Sequence, residues 1–194
     1  MESADIIATH FAQHREAFAS MDSLGPAIAE VAMAMMACLQ GGGTVYTFGN
    51  GGSAADAQHL TAELVGHYRL DRRPLRAMTL TTDASVWTAI SNDFTADQVF
   101  ARQVQALARH GDLVCAFSTT GRSPNVIAGM AAAQKAGATT VLFGGTPPGP
   151  ALEFSHMQLL VPSSVTPRIQ EMHTLMVHVI ADIIDNWAAA GERA

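Results

Sequence analysis

The feature that most constrains this chain is an alternation of short apolar runs, most ending in Gly- or hydroxyl-bearing turns, with longer segments of helical spacing. The runs cover 44–48, 75–81, 112–118, 139–144 and 157–161, and the segments between them lie near 53–67, 84–91, 97–109 and 124–136. A run without polar alternation reads as a strand covered on both faces. Such strands alternating with helices specify an α/β, three-layer, doubly wound parallel sheet, of flavodoxin-like type. Two helices are expected ahead of it, because residues 3–21 place Ile7, Phe11, His14 and Phe18 at helical spacing and 24–40 repeat this with Ile28, Val31, Met35 and Leu39. Gly41-Gly42-Gly43 stops the second of them. After Pro167 a long helix, 168 to about 190, carries Ile169, Met172, Leu175, Met176, Val179, Ile180 and Ile183. With 194 residues and no internal repeat or linker, the expectation is one domain, 1–194, whose opening helical pair 1–40 serves in oligomerisation.

In such sheets ligands sit outside the carboxyl ends of the strands, so the turns there carry the functional reading. The first is Gly49-Asn50-Gly51-Gly52-Ser53, where glycines permit φ > 0 and close backbone approach to a ligand. Ser53 is expected to cap the helix that follows, and a helix start accepts an anion without any lysine. Along that helix His59 and Glu63, four residues apart, share a face. By spacing alone they are an ordinary exposed pair worth a few tenths of a kcal/mol. The second turn, Ser118-Thr119-Thr120-Gly121-Arg122-Ser123-Pro124-Asn125, offers hydroxyls before a helix with Ser123 at the N-cap and Pro124 at N1. It is the better phosphate site, since hydroxyls and helix-end amides supply directional donors. One such turn would only cap a helix. Two at strand ends favour a phosphorylated ligand. Asn92-Asp93, placed in a connection after the second strand, either adds hydroxyl contacts or is a plain turn.

Composition removes several classes of function. The net charge is −6 and no basic run occurs, which argues against nucleic acid as a partner. Charged residues make up 14%, against a typical ~25%, so much helical surface is expected to be covered by other copies of the chain. Cys38 and Cys115 have neither metal spacing nor a disulfide framework and read as buried reduced thiols. No signal-peptide core or uninterrupted membrane-spanning apolar run is present, so a cytoplasmic protein without a membrane partner is expected. Lys135, the one lysine, sits at a helix end and is not placed for imine chemistry.

Taken in order, Gly49-Asn50-Gly51-Gly52-Ser53, His59 with Glu63, Asn92-Asp93-Phe94, Ser118 to Ser123, and Arg168-Ile169-Gln170-Glu171-Met172-His173 with His178 resemble the sugar isomerase (SIS) domain family, and within it the phosphoheptose isomerases. The resemblance covers nearly the whole chain, and five ordered motifs are far more specific than one glycine loop. It implies a five-stranded parallel sheet, a homotetramer and active sites shared between subunits. It implies that Asn50, Gly51, Gly52, Ser53, Glu63, Asn92, Asp93, Ser118, Thr119, Thr120, Ser123 and Gln170 hold the phosphosugar, and that Glu63 and His178 transfer protons. Some members bind Zn²⁺ through positions matching His59, Glu63, Gln170 and His178; no nucleotide or organic cofactor is implied. The chain departs from the family pattern at His67, where arginine is frequent, at Pro167, where an aspartate is common, and at Thr120, in place of serine. The first two bear on which sugar hydroxyls are read.

The implied reaction interconverts sedoheptulose 7-phosphate and D-glycero-D-manno-heptose 7-phosphate through an enediol. It needs a base at a carbon-bound proton, assigned to Glu63, and a shuttle for the hydroxyl protons, assigned to His178, whose ordinary pKa near neutrality suits both directions. Gln170 and His178 are eight residues apart, about 12 Å along a helix axis, so one ion takes both with difficulty. Either they reach it from opposite sides with extended side chains, or they belong to different subunits, or Gln170 mainly contacts substrate; of these, His178 from a neighbouring subunit is the expectation, and His173 is left as a core histidine. Two rival readings remain: an isomerase of another phosphosugar, and a non-catalytic SIS protein that binds a replication initiator.

Overall fold

The structure, a computed structural model, describes residues 2–191. Helix α1 (Ser3–Ala19) turns through a 3₁₀ segment, Met21–Leu24, into α2 (Gly25–Gln40). Then follow β1 (Val45–Gly49), α3 (Gly52–Val65), β2 (Ala77–Thr79), α4 (Ala84–Asp93), α5 (Val99–Leu107), β3 (Leu113–Ser118), α6 (Pro124–Lys135), β4 (Thr139–Gly145), β5 (Met157–Val161) and α7 (Thr166–Gly191). The five strands are parallel, in the order β2-β1-β3-β4-β5. The expected doubly wound α/β fold is what the chain adopts.

Alternation of side chains along the strands divides the core in two. Val45, Leu113, Cys115, Phe117, Val141, Phe143, Leu159 and Val161 point to one face, where α2, α3 and α7 bury Met35, Leu60, Leu64, Met176 and Ile180 against them. Tyr46, Phe48, Val114, Ala116 and Leu142 point to the other, under Phe100 and Val104 of α5 and Val126 and Met130 of α6. Helix α1 stays on the outside, with Ile7, Phe11 and Phe18 each more than half exposed. Segment 3–40 is apolar enough to pass for a membrane span on hydropathy. Within the fold it is two helices, and α2 spends its apolar residues Ile28, Val31, Ala32, Met35 and Leu39 on the core.

The chain leaves β1 and β3 towards opposite sides of the sheet, which opens the crevice expected of a doubly wound fold. Register puts the two strand ends level, Gly49 opposite Phe117. Gly49 is required there: a Cβ on it would lie 2.6 Å from the carbonyl oxygen of Ser53 and 2.8 Å from that of Phe117.

Three local expectations are corrected. Ser53 is not the cap: α3 starts one residue earlier, after Gly51 at φ 57°, and Ser53 is buried in the first turn. Asn92 and Asp93 are the last residues of α4, not part of a connection. Strand β2 is three residues long, not the seven expected, and pairs with β1 alone through Ala77, Met78 and Thr79 at the sheet edge.

Candidate active site

The two sequence turns meet. Asn50, Gly51, Gly52 and Ser53 line a hollow of about 310 Å³ together with Phe117, Ser118, Thr119, Thr120, Ser123, Thr166 and Gln170. A reciprocal amide pair joins its two halves: Asn50 Nδ2 donates to Asn125 Oδ1 at 2.8 Å and Asn125 Nδ2 returns the bond to Asn50 Oδ1 at 3.0 Å. Ser118 Oγ accepts from the Gly121 N–H and Thr120 Oγ1 from the Arg122 N–H, so both hydroxyl protons stay free to donate. Ser123 holds the N-cap position of α6, but its side chain makes no capping bond and is likewise available. With the unpaired N–H groups of the first turn of α6, these hydroxyls form a cradle suited to a phosphate. Gln170 closes the hollow from α7, its amide so near Gly52 that a Cβ there would lie 2.6 Å from Nε2.

A second group gathers farther along α3. His59 Nε2 lies 3.0 Å from Glu63 Oε1 and 3.3 Å from His178 Nε2, and one ligand atom from each of the three residues falls within 4.8 Å of the others. His178 belongs to the same chain, which corrects the expectation that a neighbouring subunit supplies it. The i,i+4 pair on α3 faces α7 directly, and His178 sits on the facing surface. One proton on His59 Nε2 can serve Glu63 or His178 but not both, whereas a cation between the three would satisfy all of them. Two imidazole nitrogens and a carboxylate oxygen fit a metal of the zinc type with a fourth position open. Gln170 lies beside Gly52, two turns of α3 before His59, and thus belongs to the hollow. Asn92 and Asp93 stand exposed at the end of α4, the Asn92 amide donating to Asp93 Oδ1, and do not line the hollow.

Around these groups the structure adds residues that carry no signal in the sequence. The His178 ring lies between two others, edge-on to His59 at 4.8 Å and stacked on Tyr68 at 5.3 Å and 22°. The loop that carries Tyr68 is anchored by Asp185 of α7, fully buried, whose Oδ2 accepts the N–H groups of Tyr68, Arg69 and Leu70 at 3.0, 2.7 and 3.0 Å. Its Oδ1 accepts from Arg72 Nε at 2.8 Å. Burial alone would push the Asp185 carboxyl up, but the Arg69 and Leu70 amides and the Arg72 guanidinium together hold it below its ordinary value. Arg72 in turn donates to the carbonyls of Glu63, Leu64 and Gly66 and so closes the end of α3. Asp56, one turn before His59, accepts from Thr174 Oγ1 through Oδ1, while Oδ2 has no hydrogen-bond partner among the described residues; burial pushes this carboxyl up.

The remaining expectations concern the core. His173 is fully buried, bonded through Nε2 to the Gly144 carbonyl, and burial lowers its pKa to about 4, so it is a neutral core histidine. Cys38 and Cys115 are free buried thiols, and burial raises the pKa of Cys38 to about 11.

The SIS domain family model matches residues 9–145. A phosphoheptose isomerase of Geobacter metallireducens is 44% identical over 180 residues, 92% of this chain and 95% of that protein. Among solved structures, a phosphoheptose isomerase from Francisella tularensis superposes with a TM-score of 0.92 at 36% identity, over 96% of this chain and all of that one. A phosphoheptose isomerase from Neisseria gonorrhoeae gives 0.90 at 38%, over 95% of this chain and all of its own.

Proposed function

The chain belongs to the phosphoheptose isomerases of the SIS domain family, and we propose that it interconverts sedoheptulose 7-phosphate and D-glycero-D-manno-heptose 7-phosphate with Glu63 as the base. The convergence of Glu63, His59 and His178 on one point carries this reading. Glu63 takes a proton from C1 of the ketose, next to the C2 carbonyl, to give an enediol; His178 moves the hydroxyl proton from O1 to O2; and Glu63, its carboxyl proton exchanged with solvent in the meantime, protonates C2. Each positioned acid–base group contributes about 10²- to 10⁴-fold. The cradle of Ser118, Thr119, Thr120 and Ser123 would take the phosphate, and Asn50, Gly51, Gly52, Ser53 and Gln170 the sugar chain. Such a binding site with an acid–base cluster supports catalysis over the reading as a binding protein alone.

His59, Glu63 and His178 would hold Zn²⁺. When bound, the ion acts as a Lewis acid on the substrate oxygens. We further propose a homotetramer with sites at subunit interfaces. Ile6, Ile7, Phe11 and Phe18 on α1, Met33 on α2, and Val65 and Val179 near the cluster are exposed apolar side chains, and burial of such surface drives association. A phosphorylated substrate fits a cytoplasmic enzyme.

The test is to incubate the purified protein with sedoheptulose 7-phosphate and follow the aldose by NMR, with and without Zn²⁺. The wild type is expected to turn over; Glu63→Gln is expected to lose at least about 10²-fold in kcat while still binding substrate. Near-wild-type kcat in that variant would remove Glu63 from the role of base.

A further inference from the structure

We propose that Tyr68 is a positioning residue for His178, and that the buried Asp185 carboxylate exists in part to deliver it. The inference rests on the isomerase reading and extends it to groups that touch neither substrate nor metal.

The observations run from backbone to ring. After α3 the chain reverses through Gly66 and His67, an exposed stretch with no strand to hold it. Its direction is fixed by one carboxylate: three consecutive N–H groups, of Tyr68, Arg69 and Leu70, converge on Asp185 Oδ2. An ionised acceptor makes such bonds short and strong. Asp185 lies seven residues after His178 on α7, two turns along the same face. The side chain that orients the loop and the one that does chemistry therefore share a rigid helix.

Arg72 completes the frame. It bonds Asp185 and the carbonyls of Glu63 and Leu64, tying the end of α3 that bears the base to the helix that bears His178. The outcome is Tyr68 stacked on one face of the His178 imidazole, with His59 edge-on to it. An imidazole held in this way keeps Nε2 toward His59. Without the stacked ring it is free to turn about its side-chain torsions, and misplacing a reacting group by about 1 Å can cost ~10²-fold.

The backbone anchor makes the test clean. Asp185 grips the N–H of residue 68 whatever its side chain, so Tyr68→Ala keeps the loop. That variant is expected to lower kcat about 10- to 100-fold with KM nearly unchanged and thermal unfolding close to wild type. Tyr68→Phe, which keeps the ring and loses the hydroxyl, is expected to restore kcat to within about threefold of wild type. Unchanged kcat in Tyr68→Ala overturns the proposal. Equal loss in Tyr68→Phe overturns it too, because the hydroxyl would then act directly.

A readout that needs no turnover separates this claim from the isomerase reading. In wild type, the His178 ring-proton signals should be shifted upfield by the Tyr68 ring, retained in Tyr68→Phe and moved to ordinary positions in Tyr68→Ala. Failure of the wild type to isomerise the ketose refutes the reading of function; His178 signals indifferent to Tyr68→Ala refute the positioning.

Discussion

Replacing Asp185 by alanine tests the frame that holds the site. The carboxylate is fully buried, accepts three backbone N–H groups and faces an Arg72 side chain that is 1% exposed. Removing it leaves the guanidinium buried without its counter-charge and the three loop amides without their acceptor. Breaking a buried pair by deleting one partner costs about 3–5 kcal/mol. Against a total of about 5–15 kcal/mol for a domain, that is about a fifth or more of the stability. The assay is urea unfolding by circular dichroism at one fixed protomer concentration, since self-association couples to stability. Replacing both partners, Arg72→Met with Asp185→Leu, should recover part of the loss, because the stranded charge goes with the pair. Recovery should be incomplete, because the three loop N–H groups still lack an acceptor. The pH dependence has a definite sign. The folded Asp185 carboxyl titrates below its ordinary 3.8, so its contribution is full above that value and disappears as pH falls through the folded one. Asp185→Ala should therefore approach the wild type in acid. A loss under about 1 kcal/mol in Asp185→Ala, or a double variant weaker than the single one, would refute the reasoning.

Gly49→Ala forces a Cβ onto two backbone carbonyls and should destabilise by at least about 2 kcal/mol by urea midpoint, whereas Gly52→Ala meets the movable end of Gln170 and should spare stability but raise KM. His173 stays neutral when folded down to a pKa of about 4, against 6.5 unfolded, so stability should fall between pH 6.5 and 4 by about 3 kcal/mol; His173→Phe should flatten that part of the urea-midpoint profile. Light scattering should give the mass of a tetramer, and a monomeric mass would contradict sites at subunit interfaces.

The five strands and the helices between them were legible because strands buried on both faces leave continuous apolar runs and the helices leave a 3.6-residue period. What failed locally failed for local reasons. Gly51, at φ 57°, takes the N-cap position expected of Ser53, since only glycine adopts that conformation cheaply. Asn92 and Asp93 were placed in a connection, as hydroxyl contacts or a plain turn, although the capping bond from the Val86 N–H to Asp83 starts a helix that runs through them.

The site was legible where its members are close in sequence, as His59 and Glu63 are. It was not where partners are remote: His178 meets His59 across 119 positions, and Asp185 meets the Tyr68 loop across 117. The eight-residue gap between Gln170 and His178 left open whether they share one ion from opposite sides, sit in different subunits or serve different tasks, and a second subunit was the arrangement expected. In the fold they belong to different groups, one to the hollow and one to the cluster. Asn125 was read as part of a motif but given no task, and its task is visible only once the pair with Asn50 forms.

The most direct test of the central claim, proton transfer at carbon by Glu63, is the reaction run in D₂O. With sedoheptulose 7-phosphate and the Zn²⁺-supplemented wild type, NMR should show an aldose carrying deuterium at C2, and Glu63→Gln should form almost none. An aldose formed without deuterium, or no aldose from the wild type, would contradict the account.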